Sequence, residues 1–168
     1  MKPKGYFGQI HEQPGDNGVR YRSHEPSHPD IKIKILDARA ITPKRATDGS
    51  VGWDLHVCGS SIRYLVPGLM HKISTGVSIE LPPGYEAQVR GRSGLSSRGV
   101  IVPTGTIDWD YRGEICVLVA CLFTGIELKP GDRIAQLIVS PVWAGKLVCA
   151  TELSGSERGD GGFGSTGT

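Results

Sequence analysis

Charge of one sign is scarce in this chain, where 19 Lys and Arg stand against 17 Asp and Glu, a formal net charge of +2. Binding a nucleic acid through neutralised phosphates needs a clustered excess of cations. No nucleic-acid partner is therefore expected, and any recognition of phosphate has to be local. Apolar runs long enough to span a bilayer are also missing, so no membrane partner is expected. The N-terminus lacks the succession of charged, apolar and small residues that marks a signal peptide. The protein is thus expected to stay where it is made, in the cytoplasm or in the matching compartment of a host cell if the gene is viral.

Ligand-spaced metal and redox patterns are missing too. Cys58, Cys116, Cys121 and Cys149 include no CxxC pair, and the last three lie in the apolar runs ICVLVACLF and KLVCA. Buried, reduced thiols are expected rather than zinc ligands or disulfides. Three histidines fall within the first thirty residues, and neither His56 nor His71 has a partner at ligand spacing, so no protein-built metal site is expected. Helical periodicity is equally scarce. No window of a dozen residues repeats at 3.6, and at most a helical turn begins near Ser93.

What is present is alternation and turn chemistry in a chain of one-domain size, 168 residues. Residues 1–30, rich in Gly, Pro, His and charge, read as a loosely ordered polar extension. From Ile31 the apolar residues Ile31, Ile33 and Ile35 alternate with Lys32 and Lys34, the pattern of a half-buried strand. Further strands are expected at Leu69–Thr75, Val77–Leu81, Tyr85–Arg90, Ile115–Phe123, Ile126–Lys129, Ile134–Val142 and Leu147–Ala150. Ile115–Phe123 is apolar on both faces and reads as buried on both. Pro82-Pro83-Gly84 and Lys129-Pro130-Gly131-Asp132 supply tight reversals between strands. Many short, punctuated strands predict an all-β barrel or sandwich over 31–153, followed by an arm over 154–168.

Five segments carry chemistry. Gly52-Trp53-Asp54-Leu55 places a carboxylate between apolar residues at a strand start, either paired for the fold or serving a bound cation. Gly91-Arg92-Ser93-Gly94-Leu95-Ser96-Ser97-Arg98-Gly99 is either a solvated Ser/Gly loop or a phosphate cradle, in which N–H groups converge and Arg92 grips oxygens. In Gly105–Glu114, Asp108 and Asp110 are not expected to form a shared two-carboxylate site, which leaves one of them as a lone base or as a turn cap. Gln136 interrupts an apolar strand and needs a hydrogen-bond partner, in the fold or on a ligand. The tail Arg158–Thr168, RGDGGFGSTGT, with five glycines leaves little for a core, yet it offers a cation, an aromatic face and the hydroxyls of Ser165 and Thr166. It is either a loose end or a flap for a polyphosphate and a flat ring.

Taken in order, GWDL, GRSGLSS, GTIDWDYRGE, GDRIAQL and RGDGGFGSTG resemble the five motifs of the trimeric dUTP diphosphatase (dUTPase) family, spanning nearly the whole chain from Ile31. Trp53 stands where that family often has tyrosine, and Thr106 where valine or leucine is common. The resemblance implies a jelly-roll-type β-barrel with at most one short helix, assembled as a homotrimer with active sites shared between chains. It implies dUTP as substrate, hydrolysed to dUMP and pyrophosphate, which limits uracil in DNA and supplies dUMP for dTMP synthesis.

By the same resemblance Asp108 is the general base for water attacking the α-phosphorus, and Tyr111 packs beneath the deoxyribose, excluding a 2′-OH. The hairpin containing Val102, Gly105, Thr106 and Ile107 reads uracil. Arg92, Ser93 and Gly94 hold the phosphates, and Gln136 contacts the α-phosphate region. Arg158, Gly164, Ser165 and Thr166 close over the outer phosphates while Phe163 stacks on the base. Mg²⁺ is implied as cofactor, held mainly by triphosphate and water, with Asp54 reaching it at most through water.

Two other readings stand beside this one. A dCTP deaminase of the same fold needs a glutamate on the strand after the third motif, where this chain reads Ile115-Cys116-Val117-Leu118-Val119 with no acid. A non-catalytic nucleotide- or protein-binding barrel would use the N-terminal extension as its partner surface.

Overall fold

The computed structural model describes residues 29–161. Among them the alternating segments form β1 (Lys32–Ile35), β2 (Trp53–His56), β3 (Arg63–Leu65), β4 (Met70–Ser74), β5 (Val77–Glu80) and β6 (Tyr85–Arg90). After the single-turn helix α1 (Ser93–Ser96) come β7 (Val100–Ile101), β8 (Gly105–Ile107), β9 (Cys116–Cys121), β10 (Ile126–Leu128) and β11 (Arg133–Pro141). The strands pair antiparallel in four small sheets, β1-β5, β10-β3, β2-β11-β6-β8 and β4-β9-β7. Their inward residues share one core, centred on Leu55, Leu65, Ile115, Val117, Val119 and Ile134. The result is the all-β architecture that the alternation implies, consistent with the jelly-roll form that the resemblance implies.

Both proline–glycine reversals form. The Tyr85 N–H donates to the Pro82 carbonyl and the Asp132 N–H to the Lys129 carbonyl. Gly84 and Gly131 sit at φ of 85° and 86°, in the left-handed region that side chains avoid. Asp132 also caps its own turn, accepting from the Lys129 N–H at 2.7 Å.

Four expectations need correction, three of them for one reason. Leu147–Ala150 forms no strand, and Leu147 and Val148 are exposed. β1 is not half-buried: it pairs only with β5, and Ile33 and Ile35 are exposed. β9 is covered on one face only, with Val117, Val119 and Cys121 buried, Leu118 exposed, and Phe123 beyond it 79% exposed. In each case the apolar pattern is real, but nothing within a single chain covers the second face. The fourth concerns the thiols. Cys58 and Cys121 are buried and Cys116 is half-buried, while Cys149, in the segment that forms no strand, is exposed.

Candidate active site

The four-stranded sheet brings distant segments together. Across β2, β11 and β6, Asp54 lies opposite Gln136, and Gln136 opposite Arg90. Residues paired in register project to the same face. One row therefore carries Asp54, Gln136 and the residue that leads into the Gly91–Gly99 turn. A bulge between Arg133 and Ala135 interrupts the alternation of β11, so that Arg133 lies opposite His56. Arg133 and Gln136 thus share a face that an odd spacing would otherwise deny them.

Charge closes around Asp54. Its carboxylate accepts from Arg92 Nε at 3.0 Å and from Arg133 Nη1 at 3.1 Å, and its side chain keeps 15% exposure. Arg92 Nη1 also donates to the Arg133 carbonyl at 3.2 Å. The Gln136 amide finds its partner in the Gly91 carbonyl, at 3.0 Å. Gly52 makes room for that amide: a Cβ there would lie 2.7 Å from Gln136 Oε1 and 2.8 Å from Ile138 Cδ1, closer than real Cβ atoms come. The neighbouring His56 has a buried Nδ1 with no hydrogen-bond partner among the described residues. Burial lowers its pKa below the ordinary 6.5; Asp54 opposes the shift, and the cations Arg133 and Arg92 add to it.

The first turn of α1 leaves Ser93 and Gly94 exposed, and a Cβ on Gly94 would meet nothing within 4 Å. A ligand can approach that backbone closely. Val102 packs against the core behind Gly91, whose Cβ would stand 3.6 Å from it.

Asp108 and Tyr111 do not join this cluster within one chain. β8 runs antiparallel to β6 with Gly105 opposite Val89, Thr106 opposite Gln88 and Ile107 opposite Ala87, so the chain leaves β8 at the end away from Arg90. At about 3.3 Å per residue, Asp108 lies roughly 10 Å further along than Gly105. The segment after it turns rather than extends. The Tyr111 N–H donates to the Asp108 carbonyl at 3.1 Å, and Arg112 Nη1 donates to the carbonyls of Trp109 at 2.8 Å and Tyr111 at 2.9 Å. Arg158 Nε donates to the Gly161 carbonyl within its own turn. Phe163, Gly164, Ser165 and Thr166 lie outside the described residues, as does the N-terminal extension before Pro29.

Sequence reasoning assigned no role to Arg133, Gly52, Gly113 or Glu114. Arg133 was hidden by the bulge. Glu114 stands directly before the apolar run of β9, a position that could have flagged it. Its carboxylate accepts from the Ser74 hydroxyl and from the Gly76 N–H at 2.7 Å. Burial pushes its pKa up, but hydrogen bonds from Ser74, Gly76, Cys116 and Thr75 outweigh this and hold it below the ordinary 4.5.

A groove of about 530 Å³ does not coincide with the polar cluster. It is lined by Ile31, Ile33, Trp53, Ile79, Leu137 and Val139, with the last two and Trp53 on the reverse face of the same sheet. Its lining is mainly apolar, with Asp30, Thr42, Arg45 and Tyr85 as its polar members, and it includes none of Asp54, Arg92, Arg133 or Gln136. Among the described residues no three His, Cys, Asp or Glu side chains gather to cage an ion.

Comparison with known proteins agrees with this arrangement of segments. The dUTPase family model matches residues 38–167. A deoxyuridine 5'-triphosphate nucleotidohydrolase of Hydrogenobaculum sp. (strain Y04AAS1) is 47% identical over 141 residues, covering 82% of this chain and 97% of its own. One of the same name from Chlamydia trachomatis serovar L2 is 45% identical over 137 residues, covering 79% and 94%. Among solved structures, the dUTPase of Staphylococcus bacteriophage 80alpha with dUpNHpp superposes with a TM-score of 0.76 at 28% identity, covering 83% of this chain and 99% of that one. A dUTPase from phage phi11 of S. aureus, described with a structural Mg(II) ion, shares the fold at 22% identity, with a TM-score of 0.69 over 74% of this chain and 98% of its own.

Proposed function

The chain belongs to the dUTPase family, and from that premise we propose that it hydrolyses dUTP to dUMP and pyrophosphate at sites divided between the chains of a homotrimer. The observation that carries the division is the register of β8. Asp54, Arg92 and Gln136 cluster at one end of the sheet, while Asp108 leaves β8 at the other. One chain alone does not bring the proposed base to the proposed phosphate loop. Exposed apolar residues support assembly as well. Met70 and Leu118 stand on the open face of β4-β9-β7, and Trp143, Leu147 and Leu153 lie along the segment after β11.

In this reading Arg92, Ser93 and Gly94 receive the phosphates and Gln136 steadies the α-phosphate region. Asp108 of a neighbouring chain orients a water, takes its proton and directs its oxygen in line at the α-phosphorus. The bond to the bridging oxygen breaks and pyrophosphate leaves. Val102, Gly105, Thr106 and Ile107 present the hairpin to uracil, and Tyr111 lies against the sugar. Mg²⁺ bound with the substrate would be held mainly by the triphosphate and water rather than by side chains, and would supply charge neutralisation for the leaving group. Asp54 fits a bracing part, since both its oxygens are taken by arginines. Arg158, Gly164, Ser165, Thr166 and Phe163 close the site. The reaction belongs in the compartment that holds the deoxynucleotide pool, where it limits uracil in DNA and supplies dUMP for dTMP synthesis.

The test mixes two inactive proteins. Arg92→Ala and Asp108→Asn are each expected to release little pyrophosphate from dUTP. Unfolded together and reassembled at equal ratio, they should regain roughly a quarter of wild-type activity, because random mixing leaves about that share of sites with both groups intact. No recovery from well-assembled mixed trimers would place the whole site in one chain. A wild type without dUTP turnover would leave the non-catalytic binding barrel as the better reading.

A further inference from the structure

Tyr111 is an exposed aromatic ring on a loop, and a ring that can swing aside is a poor steric wall. Turning an exposed side chain away from its preferred rotamer costs little against the binding of a nucleotide. What would keep the ring in place is visible two residues on. A Cβ added to Gly113 would lie 2.5 Å from Tyr111 Cζ and 3.0 Å from Cε2, and closer still to the hydroxyl oxygen. The Tyr111 ring therefore lies directly over the Gly113 backbone. Gly113 is not among the residues with positive φ, so its conformation is open to any residue. What stands against a side chain there is the ring alone.

The ring is also tethered. Its hydroxyl donates to the Glu114 carbonyl at 3.0 Å. That carbonyl belongs to a fixed frame. The Glu114 carboxylate is bound by Ser74 and the Gly76 N–H, the buried Thr75 hydroxyl donates to the Ile115 carbonyl at 2.5 Å, and Ser78 Oγ donates to the Arg112 carbonyl at 2.8 Å. Seat and tether thus hang from the β4–β5 turn in the core, while the ring itself stays 46% exposed and open to a ligand.

We propose that Gly113 is a specificity-determining residue, the seat that fixes Tyr111 as a rigid wall excluding nucleotides with a 2′-hydroxyl. The proposal rests on the reading of Tyr111 given above. Gly113 acts through Tyr111 and is a positioning residue. Alanine there lifts the ring and breaks its bond to Glu114, so the wall yields to the ribose oxygen.

The experiment compares kcat/KM for dUTP and UTP in four proteins: wild type, Gly113→Ala, Tyr111→Ala and the double variant. Rejection of one extra hydroxyl by shape is commonly worth about 100-fold, and Gly113→Ala should lower the dUTP preference at least about tenfold. In the Tyr111→Ala background the same change should have no further effect on the ratio. A wild-type ratio in a folded Gly113→Ala protein overturns the proposal, as does an equal effect with or without the tyrosine ring. If Gly113→Ala does not fold, Tyr111→Phe removes only the tether. It should lower the preference several-fold, and an unchanged preference would again overturn the proposal. Wild type that fails on dUTP altogether defeats the underlying functional reading instead, so the two failures are distinguishable.

Discussion

His56 sets a pH limit that follows from its surroundings. Burial, reinforced by Arg133 and Arg92, disfavours the imidazolium, and Asp54 offsets this only in part. A histidine whose folded pKa lies below its unfolded value binds protons more readily when the chain unfolds. Its contribution to stability is complete above the unfolded value of 6.5 and is lost as pH falls through the folded one. Urea unfolding midpoints should therefore decline from pH 6.5 downward in the wild type, and His56→Gln should flatten that decline down to about pH 5, above the range where carboxylates titrate. An identical slope in both proteins would assign the loss to other groups.

Among the elements, the chain entering β2 packs so closely on β11 at Gly52 that an added carbon displaces its neighbours. Gly52→Ala places a methyl against Gln136 Oε1 and Ile138 Cδ1. Overpacking of this kind costs about 1–3 kcal/mol, and it should pull Gln136 from the Gly91 carbonyl. A chemical-denaturation curve shifted by that amount, with a raised KM for dUTP, is the expected result; an unshifted curve would mean that the strands part easily. This contact also shows what the sequence can and cannot convey. Tyr85–Arg90 was legible to the residue, because its alternation is bounded by turn signals on one side and glycine on the other. The two-residue β7 was not, since so few residues carry no period. Arg133 as partner of Asp54 was illegible because a bulge changes which face a residue takes, and nothing local announces it. Asp54, Arg92 and Gln136 were legible as candidates, but their meeting is a property of sheet order. Leu147–Ala150 reads as a strand because its pattern asks for cover that a single chain does not supply.

For the whole molecule, the barrel and the fifth motif are separable. The tail from Arg158 follows a long exposed stretch, and none of its described residues, Arg158–Gly161, belongs to the core. Deleting Arg158–Thr168 should leave the thermal midpoint and the assembly state unchanged while kcat/KM for dUTP falls about 100-fold or more, because groups that position a substrate act without stabilising the fold. Full activity in the truncated protein would remove the tail from the site. The connecting stretch has a further consequence. From Pro141 to Asp160 every residue is exposed, and the run contains a lysine, two glutamates and an arginine. Proteases select such backbone. A single cut there would retire the enzyme while sparing its barrel, so the working lifetime of the protein depends on whether assembly shields this stretch more than on how stably the barrel folds.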